Sequence, residues 1–485
     1  MREIKIYHSH MEISPYESGD SIKLERSMVS FDRKSFTATL VAYFLHNKKL
    51  YLPRGINPKI IENNLGKCKI SVVNEYSPCI KTKEYETLFN PRGKIQEEAI
   101  NFLTGEERFR FNRSYSQKML TLDTGDGKTF STIYSILKLR ERAIILTHAT
   151  NIKKQWINSF HNMTNVPKDR MLDISSSGDF NRILDGDNDY DFFFVNHKSI
   201  QSFANKYGWD KITEVFNSIK VGIKVVDEVH KYLENTIRVD MFTNCKLSIY
   251  LTATPERSNK IEDVIFKRAF NSAAKFGTET KSYDEKRKHI IYMPILFNSH
   301  ASTSDIYNMT RGHGFSSNFY TEYAFFNDTR ESIMYVCEYM LERTAKLEGK
   351  TLITTSRLDA IDLIHKRINL LDLNKTISQV HSKQTNDENE ESKKSDIIIS
   401  TVAGGGTGFD IPKLRVLINT EPFSSQLTFN QLKGRLREYS PTDDTYFIDL
   451  IDVSIPKCVE FYKFKLKYAK SVCKKIIIDD SLLKE

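Results

Sequence analysis

The sequence predicts an α/β chain: two parallel-sheet domains in tandem, preceded by a small β-containing accessory domain. Three observations predict it. At 485 residues the chain exceeds what one hydrophobic core organises. Through its middle, short apolar runs alternate with helical patterns, and runs such as IKVV and DIIIS are β-branched without polar alternation, as strands covered on both faces require. That alternation occurs twice, on either side of a stretch between about 260 and 290 where the rhythm is lost.

Residues 1–88 carry short alternating strands (EIKIY, FTATLVAYF, KLYLP) and no phosphate-loop pattern, so they form the accessory domain. With 14 Lys or Arg against 10 Asp or Glu they have a net charge of +4. The first sheet domain spans 89–275, with strands expected at 118–122, 143–147, 192–196, 223–226 and 248–251. The second spans 276–455, with strands at 351–354, 378–381, 396–400, 416–419 and 446–450. Residues 456–485 are a basic tail, in which FYKFKLKYAKSVCKK reads as an amphipathic helix packed on the second domain with its lysines snorkelling. The run QTNDENEESKKSD is a solvated loop or helix face. FSSNFYTEYAFF reads as helical core, with a base-stacking wedge as the alternative.

The bulk numbers narrow the function. A formal charge of +9 favours a polyanionic partner. Six cysteines without a C-x-x-C pair exclude a zinc ribbon or a disulfide framework and suit a reducing compartment. No apolar run is long enough to span a bilayer and the first ten residues lack a signal-peptide core, so a cytoplasmic location is expected.

The chemistry begins at Leu122-Asp123-Thr124-Gly125-Asp126-Gly127-Lys128-Thr129, between an expected strand and an expected helix. Gly125 and Gly127 let the backbone curl so that N–H groups face a phosphate chain, with Thr124 and Asp126 in the same loop. Lys128 suits the β- and γ-phosphates of ATP, and the Thr129 hydroxyl suits Mg²⁺. The usual first glycine of such loops is Leu122 here. Further on, Asp227 and Glu228 end an apolar strand; the first fits a magnesium-holding carboxylate and the second a group that polarises the attacking water.

From about Pro91 to Asp452 the sequence resembles superfamily 2 helicases of the DExH group, which implies two RecA-like domains facing each other across ATP. The box Asp227-Glu228-Val229-His230 resembles the second family motif. Leu251-Thr252-Ala253-Thr254-Pro255 resembles the third, whose hydroxyls in the family couple ATP to nucleic-acid movement. His230, Thr252, Thr254 and Gln431 are therefore the expected coupling residues. The stretch from Ile399 to Pro412 resembles the fifth motif. There the resemblance gives Thr401 a nucleic-acid backbone contact and Gly408 and Asp410 the ATP face. Gln431-Leu432-Lys433-Gly434-Arg435-Leu436-Arg437-Glu438 resembles the sixth, the source of arginine fingers. The position three residues after Arg435, where relatives carry a second arginine, is Glu438, so Arg435 and Arg437 are assigned jointly to the γ-phosphate.

Gln96 resembles the upstream glutamine that reads the adenine edge. Thr147-His148-Ala149 with Gln155-Trp156, and the turn Asn196-His197-Lys198-Ser199, resemble nucleic-acid-contacting segments, with Gln155 and Asn196 as the contacts; Trp156 itself reads as core. Within the superfamily the likeness is to bacteriophage branch-migration helicases of the UvsW type, with a T-odd coliphage counterpart as a further match. It implies a DNA motor, working as a monomer, that remodels forks and four-way junctions. An RNA helicase, a double-strand translocase that does not unwind, and an ATP-gated clamp without turnover stand as the other readings.

Overall fold

The computed structural model describes residues 1–32, 37–105, 114–122, 125–253, 259–277, 288–310, 314–326, 332–381, 383–402, 411–436, 439–440 and 442–483. Its contacts divide the chain into two units, Met1–Glu279 and Thr280–Glu485.

The first unit begins with β1 (Glu3–Ile6), β2 (His10–Ser14), β3 (Val29–Phe31), β4 (Ala38–Val41), β5 (Phe44–His46), β6 (Lys49–Pro53) and β7 (Lys69–Val72). Five of these make a sheet in the order β5-β6-β2-β1-β7, and β3 and β4 form a separate antiparallel pair. Next come β8 (Ser114–Thr121), β9 (Ala143–Thr147), β10 (Met171–Ile174), β11 (Phe192–Asn196), β12 (Ile223–Val226), β13 (Leu247–Thr252) and β14 (Ala273–Phe276). They form one seven-stranded sheet in the order β10-β11-β9-β12-β13-β8-β14, every pairing parallel. Its central strands are buried from end to end, which is why their sequences carry no alternation.

The N-terminal sheet and the α/β layer share one apolar cluster, in which Ile4, Met11, Ile13 and Leu52 belong with Val226, Tyr250, Phe266 and Phe270. Phe242 is ringed by Phe44, His46, Tyr51 and Trp209. Gly55 lies so close to the helix Lys260–Ala269 that a Cβ there would meet the Ala269 and Arg268 carbonyl oxygens at 2.4 Å. Its N–H donates to the Ala269 carbonyl at 3.1 Å.

The second unit holds β15 (Ile290–Phe297), β16 (Lys350–Thr355), β17 (Ile377–Val380), β18 (Ile397–Thr401), β19 (Leu414–Asn419), β20 (Thr445–Asp452) and β21 (Lys475–Ile476). They also form an all-parallel sheet, in the order β17-β18-β16-β19-β20-β15-β21.

Ten strands expected from pattern are present, with ends shifted by a few residues at most. Four in the α/β layers are not visible in the pattern: β10, β14, β15 and β21. β15 reads IIYMPILF, and Pro294 in its middle argues against a strand. The fold tolerates it because Pro294 faces the short edge strand β21, which pairs only with Ile291 and Tyr292; the Pro294 carbonyl takes the Asp479 N–H at 3.0 Å. The joint placed at 275/276 would cut β14, which runs through Phe276.

Residues 456–485, set apart as a tail, supply the helix Pro456–Val472 and the edge strand β21 of the second unit. One lysine of that helix does not snorkel. Lys465 is 1% exposed and pairs with the fully buried Asp449 at 2.6 Å. FSSNFYTEYAFF contains the helix Ser317–Phe326, with Tyr320, Tyr323 and Phe325 in the core and Phe319 and Phe326 exposed. QTNDENEESKKSD contains a short capped helix, Asn386–Ser392. Among the described residues no helix is long and apolar enough to cross a membrane.

Candidate functional site

The candidate phosphate loop lies where β8 ends and the helix Lys128–Leu139 begins. Gly125 and Gly127 have φ of 98° and 89°, a region that a side chain strains to enter. Gln96, on the helix Lys94–Thr104, is 7% exposed and lies against this loop. Its amide donates to the Asp126 carbonyl at 3.2 Å and accepts from the Arg92 N–H at 2.7 Å. A Cβ on Gly127 would lie 2.2 Å from the Gln96 amide nitrogen. Gln96, expected to read a base edge, is seen here to brace the loop. The Lys128 ammonium reaches back to the Leu122 carbonyl at 2.6 Å, across the loop mouth, and Thr129 is the second residue of the helix.

The acidic pair stands two strands away, at the tip of β12. The Asp227 N–H is tied to the Leu146 carbonyl at 2.9 Å, and its carboxylate accepts the indole N–H of Trp156 at 2.9 Å. Burial first, and then the neighbouring Glu228 charge, push the Asp227 carboxyl up to about 6; the Trp156 hydrogen bond, His148 and Lys128 oppose this. Trp156 was expected to be plain core. It is core at 2% exposure, yet its one polar atom is spent on Asp227, a link between residues 71 apart that no local pattern carries.

Glu228 turns the chain in the left-handed region, at φ 48°. Its carboxylate is 3.3 Å from His230 Nδ1, and that nitrogen is 3.0 Å from the Thr252 hydroxyl at the end of β13. Glu228, His230 and Thr252 are therefore one contact chain. It links the acidic box to the strand that follows it in the sheet.

His148 stands at the end of β9, beside Asp227, and burial lowers its pKa. Asn196 engages both ends of its carboxamide inside the protein: the oxygen takes the Thr147 hydroxyl at 2.7 Å and the nitrogen donates to the Thr150 hydroxyl at 3.1 Å. It joins the two turns expected to touch nucleic acid. Gln155 is half-buried on the helix Thr150–Met163.

In the second unit, Thr401 ends β18 opposite Thr355. Gln431 lies in the helix Gln426–Lys433, and Arg435 follows it at 7% exposure, its N–H on the Leu432 carbonyl at 3.1 Å. His289 Nε2 is 3.0 Å from the Leu436 carbonyl, which anchors this turn near the start of β15. Thr124, Thr254, Gly408, Asp410 and Arg437 lie outside the described residues.

Sequence reading missed a buried acid here. Glu421, 4% exposed, accepts from the Thr355 hydroxyl at 3.0 Å and the Ser356 N–H at 2.9 Å, and burial raises its pKa.

A glycine loop at a helix N-terminus, an ammonium over its mouth and a half-buried carboxylate pair form a set of groups suited to a phosphate chain and a divalent cation. Burial and the adjacent Glu228 charge both raise the Asp227 carboxyl, so positive charge beside the pair would favour its ionised form.

Two family models match the chain. The type III restriction enzyme res subunit model matches residues 90–257, and the helicase conserved C-terminal domain matches residues 331–438. The transcript termination protein A18 of fowlpox virus (strain NVSL) is 23% identical over 367 residues, 70% of this chain and 72% of that protein. Among solved structures, S. cerevisiae Dbp5 bound to RNA and ADP BeF3 is similar with a TM-score of 0.55 and 13% identity, over 81% of this chain and 91% of that one. T4 UvsW covers 99% of both chains at a TM-score of 0.36 and 13% identity. The Dbp5 likeness is one of fold: two parallel-sheet domains in tandem, RecA-like in each half.

Proposed function

The chain is a superfamily 2 helicase, an ATPase of the nucleic-acid motors, and from that premise we propose that it translocates on DNA and remodels branched substrates, forks and four-way junctions. The observation that carries the branched-substrate reading is the continuous core joining the N-terminal sheet to the ATPase layer. An element fixed to the motor by shared side chains and the Gly55 approach moves with it. A duplex arm held there is drawn along while the motor pulls a strand. The motif likeness and the +4 charge of residues 1–88 support the same reading.

In this reading Lys128, Thr129 and Asp227 would hold magnesium–ATP, and the metal would supply positive charge to the phosphate oxygens. Glu228 orients the attacking water and takes its proton. His230 and Thr252 relay the state of Glu228 to β13. Arg435 and Arg437 supply guanidinium charge to the transferred phosphoryl group, with Gly408 and Asp410 shaping the ATP face. Gln155, Asn196 and Thr401 serve the nucleic-acid path, Asn196 by holding its turns in place.

The experiment compares ATP-dependent processing of a synthetic four-way junction, a forked duplex and an RNA duplex by the wild type and Glu228→Gln. The proposal expects junction and fork to be processed, with turnover lost in the variant. Equal ATPase stimulation by linear and branched DNA would remove branch specificity. Undiminished turnover in Glu228→Gln would remove Glu228 from the reaction.

One observation favours a second reading. The fowlpox relative is named for transcript termination, so a motor that displaces a transcript is the competitor. Release of RNA from a stalled transcription complex, with junctions left untouched, would establish it in place of the first.

A further inference from the structure

Within the first unit, lined in part by the segment that follows the acidic box, lies a cavity of about 490 Å³, in the size range of small-molecule sites. Its walls come from four places. One is the segment directly after the acidic box, from Lys231 into the helix Leu233–Phe242. The others are the helix His197–Tyr207 with Trp209, the helix Lys260–Ala269, and the β4 hairpin of the N-terminal region.

The lining has a definite chemistry. Trp209 is partly buried and rests one face on Phe242, with ring centroids 5.5 Å apart at 28°. Gln201 and Asn205 are exposed and one helical turn apart, so both project to the same side. Neither carboxamide is engaged in a hydrogen bond among the described residues. The charged groups balance: Lys231 and Arg238 against Glu234 and Glu262. Glu234 is already occupied, by Arg238 at 3.2 Å and the Val41 N–H at 3.0 Å, and Glu262 takes the Thr39 hydroxyl at 3.1 Å. A pocket without excess positive charge is a poor site for a di- or triphosphate. An indole with two available carboxamides suits a flat heteroaromatic ring whose edge both donates and accepts.

We propose that this cavity receives an unpaired nucleobase. The inference rests on the motor reading above and adds to it a place where a base, not only backbone, is held. Lys231 is three residues beyond Glu228, and Gln201 is five beyond Asn196. An occupant therefore touches both the segment that carries the acidic box and the helix that leaves the Asn196 turn, so its presence biases the Glu228–His230–Thr252 chain. The base comes either from a single strand or from a free nucleoside, and the test separates the two.

The chain has two tryptophans, Trp156 and Trp209. Emission is recorded for the full-length protein and for Trp156→Phe, in which Trp209 alone reports. The titrants are a short single-stranded oligonucleotide, the same strand with abasic sites, and free nucleoside. Affinity for a labelled strand is measured in parallel by anisotropy.

The base-bearing strand should quench Trp209 and the abasic strand should not. Trp209→Ala should weaken strand binding by about tenfold. The exposed pair Gln201→Ala with Asn205→Ala should weaken it by about fivefold and leave abasic binding unchanged. Quenching by nucleoside but not by strand upholds the site and assigns it to the free ligand. Equal quenching by the abasic strand, no quenching by any titrant, or unchanged affinity in the Gln201/Asn205 double variant overturns the proposal. Absence of any nucleic-acid stimulation of ATP turnover would overturn the motor reading instead, and nucleoside quenching would still decide this one.

Discussion

Replacing Trp156 with phenylalanine tests whether a core residue sets the charge state of Asp227, the acid proposed to hold the metal. The substitution removes one hydrogen bond, indole N–H to the Asp227 carboxylate at 2.9 Å, and leaves most of the aromatic volume in place. A buried hydrogen bond to an ionised group contributes about 1.5–3 kcal/mol. With a smaller ring in a close-packed core, the expected loss of stability at neutral pH is about 2–4 kcal/mol. The pH dependence carries the test. Burial raises the folded Asp227 carboxyl to about 6 against an ordinary 3.8. Ionising it therefore costs the nucleotide-free fold about 3 kcal/mol at 1.36 kcal/mol per pH unit. A group raised in this way leaves the fold most stable below the ordinary value and withdraws stability as pH rises through about 6. Trp156 offsets part of that cost by donating to the anion. Trp156→Phe should accordingly lose more stability at pH 8 than at pH 5 in urea titrations. The acid limb of its ATP turnover against pH should move to higher pH, because in the proposed role Asp227 acts as an ionised carboxylate. Equal destabilisation at both pH values, with an unmoved limb, would show that Trp156 only fills space.

Thr252→Val removes the hydroxyl that meets His230; ATP turnover should stay within a few-fold of wild type while strand displacement falls about tenfold, a coupling of about 1.4 kcal/mol, measured on one forked substrate. Gly127→Ala must enter the left-handed region and meet Gln96 at 2.2 Å, so turnover should fall about a hundredfold with the circular dichroism spectrum unchanged. Lys465→Met strands the buried Asp449 without its ammonium and should cost about 3–5 kcal/mol in a denaturant titration, with Lys465→Met and Asp449→Leu together recovering part of it. Glu12 is partly desolvated, which alone would raise its carboxyl, but hydrogen bonds and charge from His10 and Lys49 hold it down to about 2. Its contribution of about 3 kcal/mol should be present above pH 4.5 and lost as pH falls towards 2, so Glu12→Gln and wild type should converge in stability across that range.

Much of this protein is legible residue by residue because its signals are local. A strand buried on both faces must be apolar throughout, so β9, β11 and β12 are visible at their observed limits. A phosphate loop needs glycines at set places before a helix, and Gly125 and Gly127 take the positive φ that this demands. An acidic box must end a strand, and Asp227 follows Val226 directly. Each is a constraint satisfied within a few neighbouring residues.

What the chain order leaves open is which distant groups meet. Trp156 and Asp227, His230 and Thr252, Gln96 and the Asp126 carbonyl, and Lys465 and Asp449 are each joined only when separate strands and helices pack. β15 with its central proline becomes a strand because the short edge strand beside it leaves room for the missing N–H. Residues 1–88 pattern as a separate domain, yet their apolar faces are completed by Tyr250, Phe266 and Phe270 and not by one another alone. Periodicity specifies which face of an element is apolar. The partner that covers that face, and hence the charge state and reach of the groups at its rim, is settled by tertiary packing, since burial and hydrogen bonding depend on neighbours far away in the chain.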